Sequence, residues 1–176
     1  LMKNLKKFVA LLLAGVMAMV MLTACGGGGG TAADTEKEEA IRKQLGKRTE
    51  ATSLCDNDGK VENDSQLYKE TAKLLDTRIK AETNAFGILA VDFKVKGIDP
   101  VEQYVTVTLS ADYKTAGLVA GLIAKITEEL GNIESSNNSV KLDTEWAKAA
   151  VVVRTNEKGS YAAIAIQVKN IAYKGK

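Results

Sequence analysis

Strict two-residue alternation is the feature that most limits what this chain can fold into. Ala162, Ile164, Ile166 and Val168 alternate with Tyr161, Ala163, Ala165 and Gln167. A period of two places one set on each face of a strand. Leu89, Val91, Phe93 and Val95 alternate in the same way with Ala90, Asp92, Lys94 and Lys96. Val105, Val107 and Leu109 alternate with Tyr104, Thr106, Thr108 and Ser110. Gly97-Ile98-Asp99-Pro100 separates these two runs as a turn, which predicts a hairpin. A β-prone stretch over residues 147–155, with Val151, Val152 and Val153, leads into Asn156-Glu157-Lys158-Gly159. That turn joins it to the 161–168 run as a second hairpin. Val140 and Leu142 begin a further short strand.

Two segments carry the helical period instead. Tyr68, Ala72, Leu75 and Ile79, widened by Leu67 and Leu74, form an apolar stripe ending near Glu82, with Asp64 or Ser65 as its cap. Leu118, Leu122, Ile126 and Leu130 repeat every four residues, flanked by Val119 and Ile123, with Asp112 as a cap and Gly131 where a C-cap belongs. Gly117 and Gly121 lie four apart in that helix, a spacing that suggests close approach to a sheet. Residues 131–139 read as a polar loop. The order helix, strand, strand, helix, strand, strand predicts an α+β domain over residues 64–176. Its expected form is a four-stranded, mostly antiparallel sheet with both helices on one face.

The N-terminus is of a different kind. Lys3, Lys6 and Lys7 precede an apolar or small-residue run from Phe8 to Leu22, and then Leu22-Thr23-Ala24-Cys25. A basic start, a short apolar run and small residues before a cleavage point define a secretory signal. At about 15 residues the run spans roughly 22 Å as a helix, short of a hydrocarbon core of about 30 Å. Over residues 1–25 the chain resembles bacterial lipoproteins, with Leu22 to Cys25 as the lipobox. The resemblance implies a diacylglyceryl group on the Cys25 thiol, palmitate-type acylation, and cleavage after Ala24. It implies an extracytoplasmic protein anchored to the cell membrane by lipid.

Without those three lysines, the 24 basic against 22 acidic residues become 21 against 22, a net of −1. No concentrated basic character remains to argue for nucleic acid. Residues 25–63 read as the lipidated cysteine, a tether and a charged stalk. Gly26 to Gly30 form a glycine run that cannot pack through side chains, and no Walker-type Lys-Ser or Lys-Thr follows it. Residues 34–50 hold only Ile41 and Leu45 as an apolar pair, which predicts a weakly docked solvated helix or a disordered stalk. Residues 51–63 read as loop.

Chemistry-bearing patterns are sparse. The chain has no histidine and two cysteines. Within one chain this excludes a Ser-His-Asp triad, a Cys-His dyad, a His-ligated zinc site and a disulfide framework. Acylation of Cys25 leaves Cys55 without an intrachain partner. Asp56-Asn57-Asp58-Gly59 partly fits a calcium loop, but Leu54 and Ser65 fall where its first and twelfth ligands belong, so an Asx turn is the better reading. Asn63-Asp64-Ser65 and Asn137-Asn138-Ser139 match the glycosylation sequon, which has no context in a bacterial lipoprotein. Trp146, the only tryptophan, reads as a cap on the core or part of a binding rim.

With the aliphatic residues facing the helices, the other sheet face carries Asp92, Lys94, Tyr104, Thr106, Thr108, Tyr161 and Gln167. Tyr104, Thr106, Thr108, Tyr161 and Gln167 are the candidate binding face, with Ala90, Ala163 and Ala165 leaving room for something to lie across it. Replacing Tyr104 and Tyr161 together is then expected to weaken partner binding without unfolding. No catalytic motif, cofactor motif or metal set is found. The expected function is a lipid-anchored binding module for an envelope protein or small ligand. The alternatives are a glycan hydrolase working through carboxylates and a structural envelope protein.

Overall fold

The computed structural model describes residues 31–83, 85–116 and 119–175. The signal-like segment, Cys25 and the glycine run lie outside them, as do Gly117 and Leu118. The fold is α+β. In chain order it comprises β1 (Ala32–Ala33), α1 (Thr35–Leu45), a 3-10 segment (Thr49–Leu54) and α2 (Ser65–Glu82). There follow β2 (Asp92–Ile98), β3 (Val101–Asp112), α3 (Tyr113–Ala116), α4 (Val119–Ser136), β4 (Leu142–Asn156) and β5 (Gly159–Asn170). The strands form one five-stranded sheet in the order β1-β4-β5-β3-β2, antiparallel throughout.

Both expected hairpins form. In the β4–β5 turn the Asn156 side chain accepts from the backbone N–H of Lys158 at 2.9 Å and of Gly159 at 3.1 Å. The β2–β3 connection is tighter than predicted, with Ile98 already paired to Val101. It needs Gly97, whose φ is +87° and whose position would put a Cβ 2.1 Å from the Tyr104 carbonyl oxygen. Val140 lies outside the strands, and Leu142 opens a single long β4 instead of a separate short one.

The helices do not share a face. Ile123, Ile126 and Ile133 of α4, with Ile41 and Leu45 of α1, pack on Val105, Val107, Val151, Val153, Ile164 and Ile166. Ala72, Leu75 and Ile79 of α2 pack on the opposite face, against Val152, Tyr161 and Ala163. Leu67 of α2 continues that contact on Ala150 and Ala165. The alanines explain the difference from expectation. They alternate with larger aliphatic residues and so look like a solvated face, yet they are small enough to let a helix approach. Residues 149–153 of β4 and 161–166 of β5 are therefore buried on both sides, and what lies across Ala163 and Ala165 is the chain's own α2.

The fifth strand and α1 also bring residues 32–63 into the domain. Asp34 caps α1 by accepting from Lys37 N–H at 3.1 Å. Ile41 and Leu45 are 1% and 0% exposed, and Ala51 and Val61 are also fully buried. α1 is thus a docked helix, not a solvated stalk. Asp56–Gly59 forms an Asx turn in which Asp56 accepts from the N–H groups of Asp58 and Lys60, both at 2.9 Å. α4 runs on to Ser136, so Gly131 lies inside the helix and not at its cap.

Candidate functional site

The outer edge of β4 has only two residues of strand partner, yet its polar groups are met one after another. Ala32 and Ala33 pair with Thr155 and Arg154. Asp34 N–H donates to Val153 O at 3.2 Å, and Val153 N–H donates to a Glu38 carboxylate oxygen at 2.9 Å. Asn63 bonds both backbone groups of Val151, accepting at 2.8 Å and donating at 3.3 Å. Asp64 N–H then donates to Ala149 O at 2.9 Å. An exposed edge is a template for unwanted pairing; here side chains close it. Asn63, read as a sequon residue, is a strand mimic.

Glu38 is the carboxyl pushed above its ordinary pKa among the described residues. Burial is the main cause, opposed by the Val153 N–H, Tyr68 and the Arg154 and Arg42 cations. It also accepts from the Tyr68 hydroxyl at 2.9 Å. It therefore bonds inward, to backbone and α2.

The predicted binding face splits in two. Pairing of Thr106 with Gln167, Thr108 with Ala165 and Asp112 with Tyr161 does place the five residues on one face. α2 covers half of it. Tyr161 is fully buried and Thr108 is 8% exposed, and the Tyr161 hydroxyl donates to Gly87 O at 3.0 Å. These two belong to the interior, so the paired Tyr104 and Tyr161 replacement would destabilise the domain. Arg78 of α2 locks the cover in place: it donates to the Ser110 hydroxyl at 2.6 Å and to Ala90 O at 3.3 Å.

Beyond the N-terminus of α2 the face is open. Tyr104 is 36% exposed, and Thr106 and Gln167 are half-buried. Gln167 donates to the Thr106 hydroxyl at 3.0 Å, which orients both groups. Lysines frame this area: Lys96 opposite Thr106, Lys94 opposite Thr108, Lys169 opposite Tyr104 and Lys148 opposite Gln167. Lys148 lies 3.1 Å from Asp64, and Lys96 lies 3.9 Å from Glu70. The Leu67 N–H, with help from Lys148, holds the Asp64 carboxyl below its ordinary range against the opposing effect of partial burial. The hollow between α2 and β2–β3 measures only about 40 Å³.

Lys94 and Lys96 stand together in the alternation of β2, and Lys169 follows from extending the β5 alternation two residues past Gln167. Lys148 needed the β4–β5 register, because β4 carries irregularities on both sides of Trp146. Trp146 itself is 5% exposed and belongs to the core. Cys55 is half-buried and free, its thiol donating to Ala51 O at 3.3 Å. A broad groove of about 460 Å³ between α1 and the Asp56–Lys60 turn is lined by Glu36, Glu39, Lys43, Asp58 and Lys60. Among the described residues no His, Cys, Asp and Glu side chains gather as a metal set, and no helix is long and apolar enough to cross a membrane.

No known family, curated protein or solved structure matches the chain.

Proposed function

We propose that this protein is a lipid-anchored extracytoplasmic binding module. Its working surface is the open sheet half bearing Tyr104, Thr106 and Gln167 within a frame of lysines. The observation that carries this reading is a polarity of the fold. The chain enters the sheet at Ala32, opposite Thr155, at the end where Asp112 meets Tyr161. The open face lies at the other end of the same strands, around Tyr104 and Lys169. Eight residues of β3 separate the two ends, about 26 Å at strand rise. A chain held through Cys25 would therefore present this face away from its anchor.

The shape favours an extended partner over a small ligand. Small-molecule pockets enclose about 300–1,000 Å³, whereas the hollow beside this face holds about 40 Å³. An exposed tyrosine with paired amide and hydroxyl groups suits a protein surface, and the lysines favour acidic groups on it.

The test uses the full-length tagged chain in its own cells. Crosslinking followed by mass spectrometry identifies the partner of the natural protein. The Tyr104→Ala/Gln167→Ala variant is expected to lose capture at least tenfold with an unchanged unfolding midpoint, because both groups lie at the open end. Equal capture by the variant overturns the assignment of this face. Separately, Cys25→Ser is expected to move the chain from the membrane to the soluble fraction.

A further inference from the structure

We propose that the loop between α2 and β2 is a membrane contact, in which Phe86, Ile88 and Val91 rest on the lipid surface that holds the chain. This rests on the lipid anchor at Cys25 proposed above and adds an orientation to it.

Three apolar side chains stand out from this loop: Phe86 is 87% exposed, Ile88 52% and Val91 43%. The loop is not loosely held. Gly87 O receives the Tyr161 hydroxyl, Ala90 O receives Arg78, and Asp112 N–H donates to Leu89 O at 3.2 Å. Leu89 is 2% exposed in the core. Residues 87 and 89 therefore point inward and are fastened, while 86 and 88 are carried outward on a fixed backbone. An apolar set presented in this way marks a contact surface.

The position of β1 identifies the occupant. Gly87 is packed so closely on Lys158 that a Cβ would lie 2.8 Å from it. Lys158 belongs to the turn between β4 and β5, and Ala32 pairs with Thr155 just before that turn. The loop and the N-terminal strand thus flank the same turn. Six residue steps join Cys25 to Thr31, and at full extension they span at most about 22 Å. A lipid on Cys25 keeps the bilayer within that distance of this end of the sheet. The exposed Lys158 beside Gly87 adds an ammonium at headgroup level, and apolar residues with a neighbouring lysine suit the interface. Tyr104 and Lys169, at the other end, stay in water.

The experiment uses full-length chain purified with its lipid and reconstituted in phosphatidylcholine/phosphatidylglycerol vesicles containing lipids brominated on their acyl chains. Phe86→Trp places a fluorophore on the loop, Tyr104→Trp places one at the far end, and the natural Trp146 gives the background. Mass spectrometry of Cys25 is read in parallel. With lipid present on Cys25, Phe86→Trp emission is expected to be quenched at least twofold and Tyr104→Trp emission to match the background. Equal behaviour of the two variants on lipidated protein overturns the loop contact and leaves the anchor standing. A blue shift at residue 86 without bromine quenching also overturns it, in favour of a protein partner or second copy. An unmodified Cys25 removes the anchor reading, and the loop contact with it. Equal denaturation midpoints for both variants and the natural chain confirm that the probes leave the fold intact.

Discussion

Glu38 shows how one side chain can serve sheet, helix and charge together. Its buried carboxylate receives Val153 N–H from the sheet edge and the Tyr68 hydroxyl from α2. Arg154 lies 3.8 Å away and is also tied to Asp76 at 3.1 Å. Burial raises the folded pKa of Glu38 above its ordinary 4.5, so the folded chain binds this proton more tightly than the unfolded chain. The resulting contribution is fully present below pH 4.5 and is lost as pH rises through the folded value. Asp34 and Asp64 are shifted the other way, below 3.8, and lose their contribution only as pH falls through their own folded values. Between pH 4.5 and neutrality the two effects are therefore separable. Glu38→Gln keeps an acceptor without the titration, and is expected to abolish the fall in urea midpoint above pH 4.5. Parallel midpoint curves for variant and natural chain would exclude this role. Tyr161→Phe is expected to cost about 1 kcal/mol by removing the bond to Gly87 O, whereas Tyr104→Phe leaves the denaturation midpoint unchanged.

At the scale of elements, periodicity located α2 but underestimated α1 and misplaced the end of α4. α1 has a charged sequence with an apolar pair, Ile41 and Leu45, and both become fully buried. Its docking depends on Glu38 and Asp34 meeting β4, which no local pattern announces. Gly131 looked like a C-cap because glycine commonly ends helices, but α4 continues past it to Ser136. A Cβ there meets nothing within 4 Å. Gly131→Ala is therefore expected to stabilise the protein by up to about 1 kcal/mol, read as a rise in urea midpoint. A cap in left-handed conformation would respond with a loss. Gly121 likewise has open space at its Cβ position, so it marks no close helix–sheet approach.

For the whole molecule, the described residues ahead of Asp64 belong to the same core and sheet as those after it, with Ile41, Leu45, Ala51 and Val61 in the core and β1 paired to β4. A chain of residues 64–176 would lack Ile41, Leu45, Ala51 and Val61 from the core and Asp34, Glu38 and Asn63 from the β4 edge. It is expected to lose the near-ultraviolet circular dichroism of buried Trp146 and to unfold without cooperativity, while residues 31–176 retain both. Cooperative unfolding of the shorter chain would return residues 31–63 to the status of a stalk. The sequence by itself determined both hairpins, the α+β class and the extent of α2, because alternation and helical period are local consequences of backbone geometry; it did not show β1, whose two residues carry no pattern, nor that Leu142 opens β4. It also placed Tyr104, Thr106 and Gln167 on a common face. Only the tertiary structure decided which side each helix covers, since alanine fits equally beneath a helix or beside water. The same decision buried Tyr161 and Thr108, left Tyr104 open, and brought Lys148 and Lys169 beside it, because cross-strand register and helix placement are set by contacts between residues far apart in the chain.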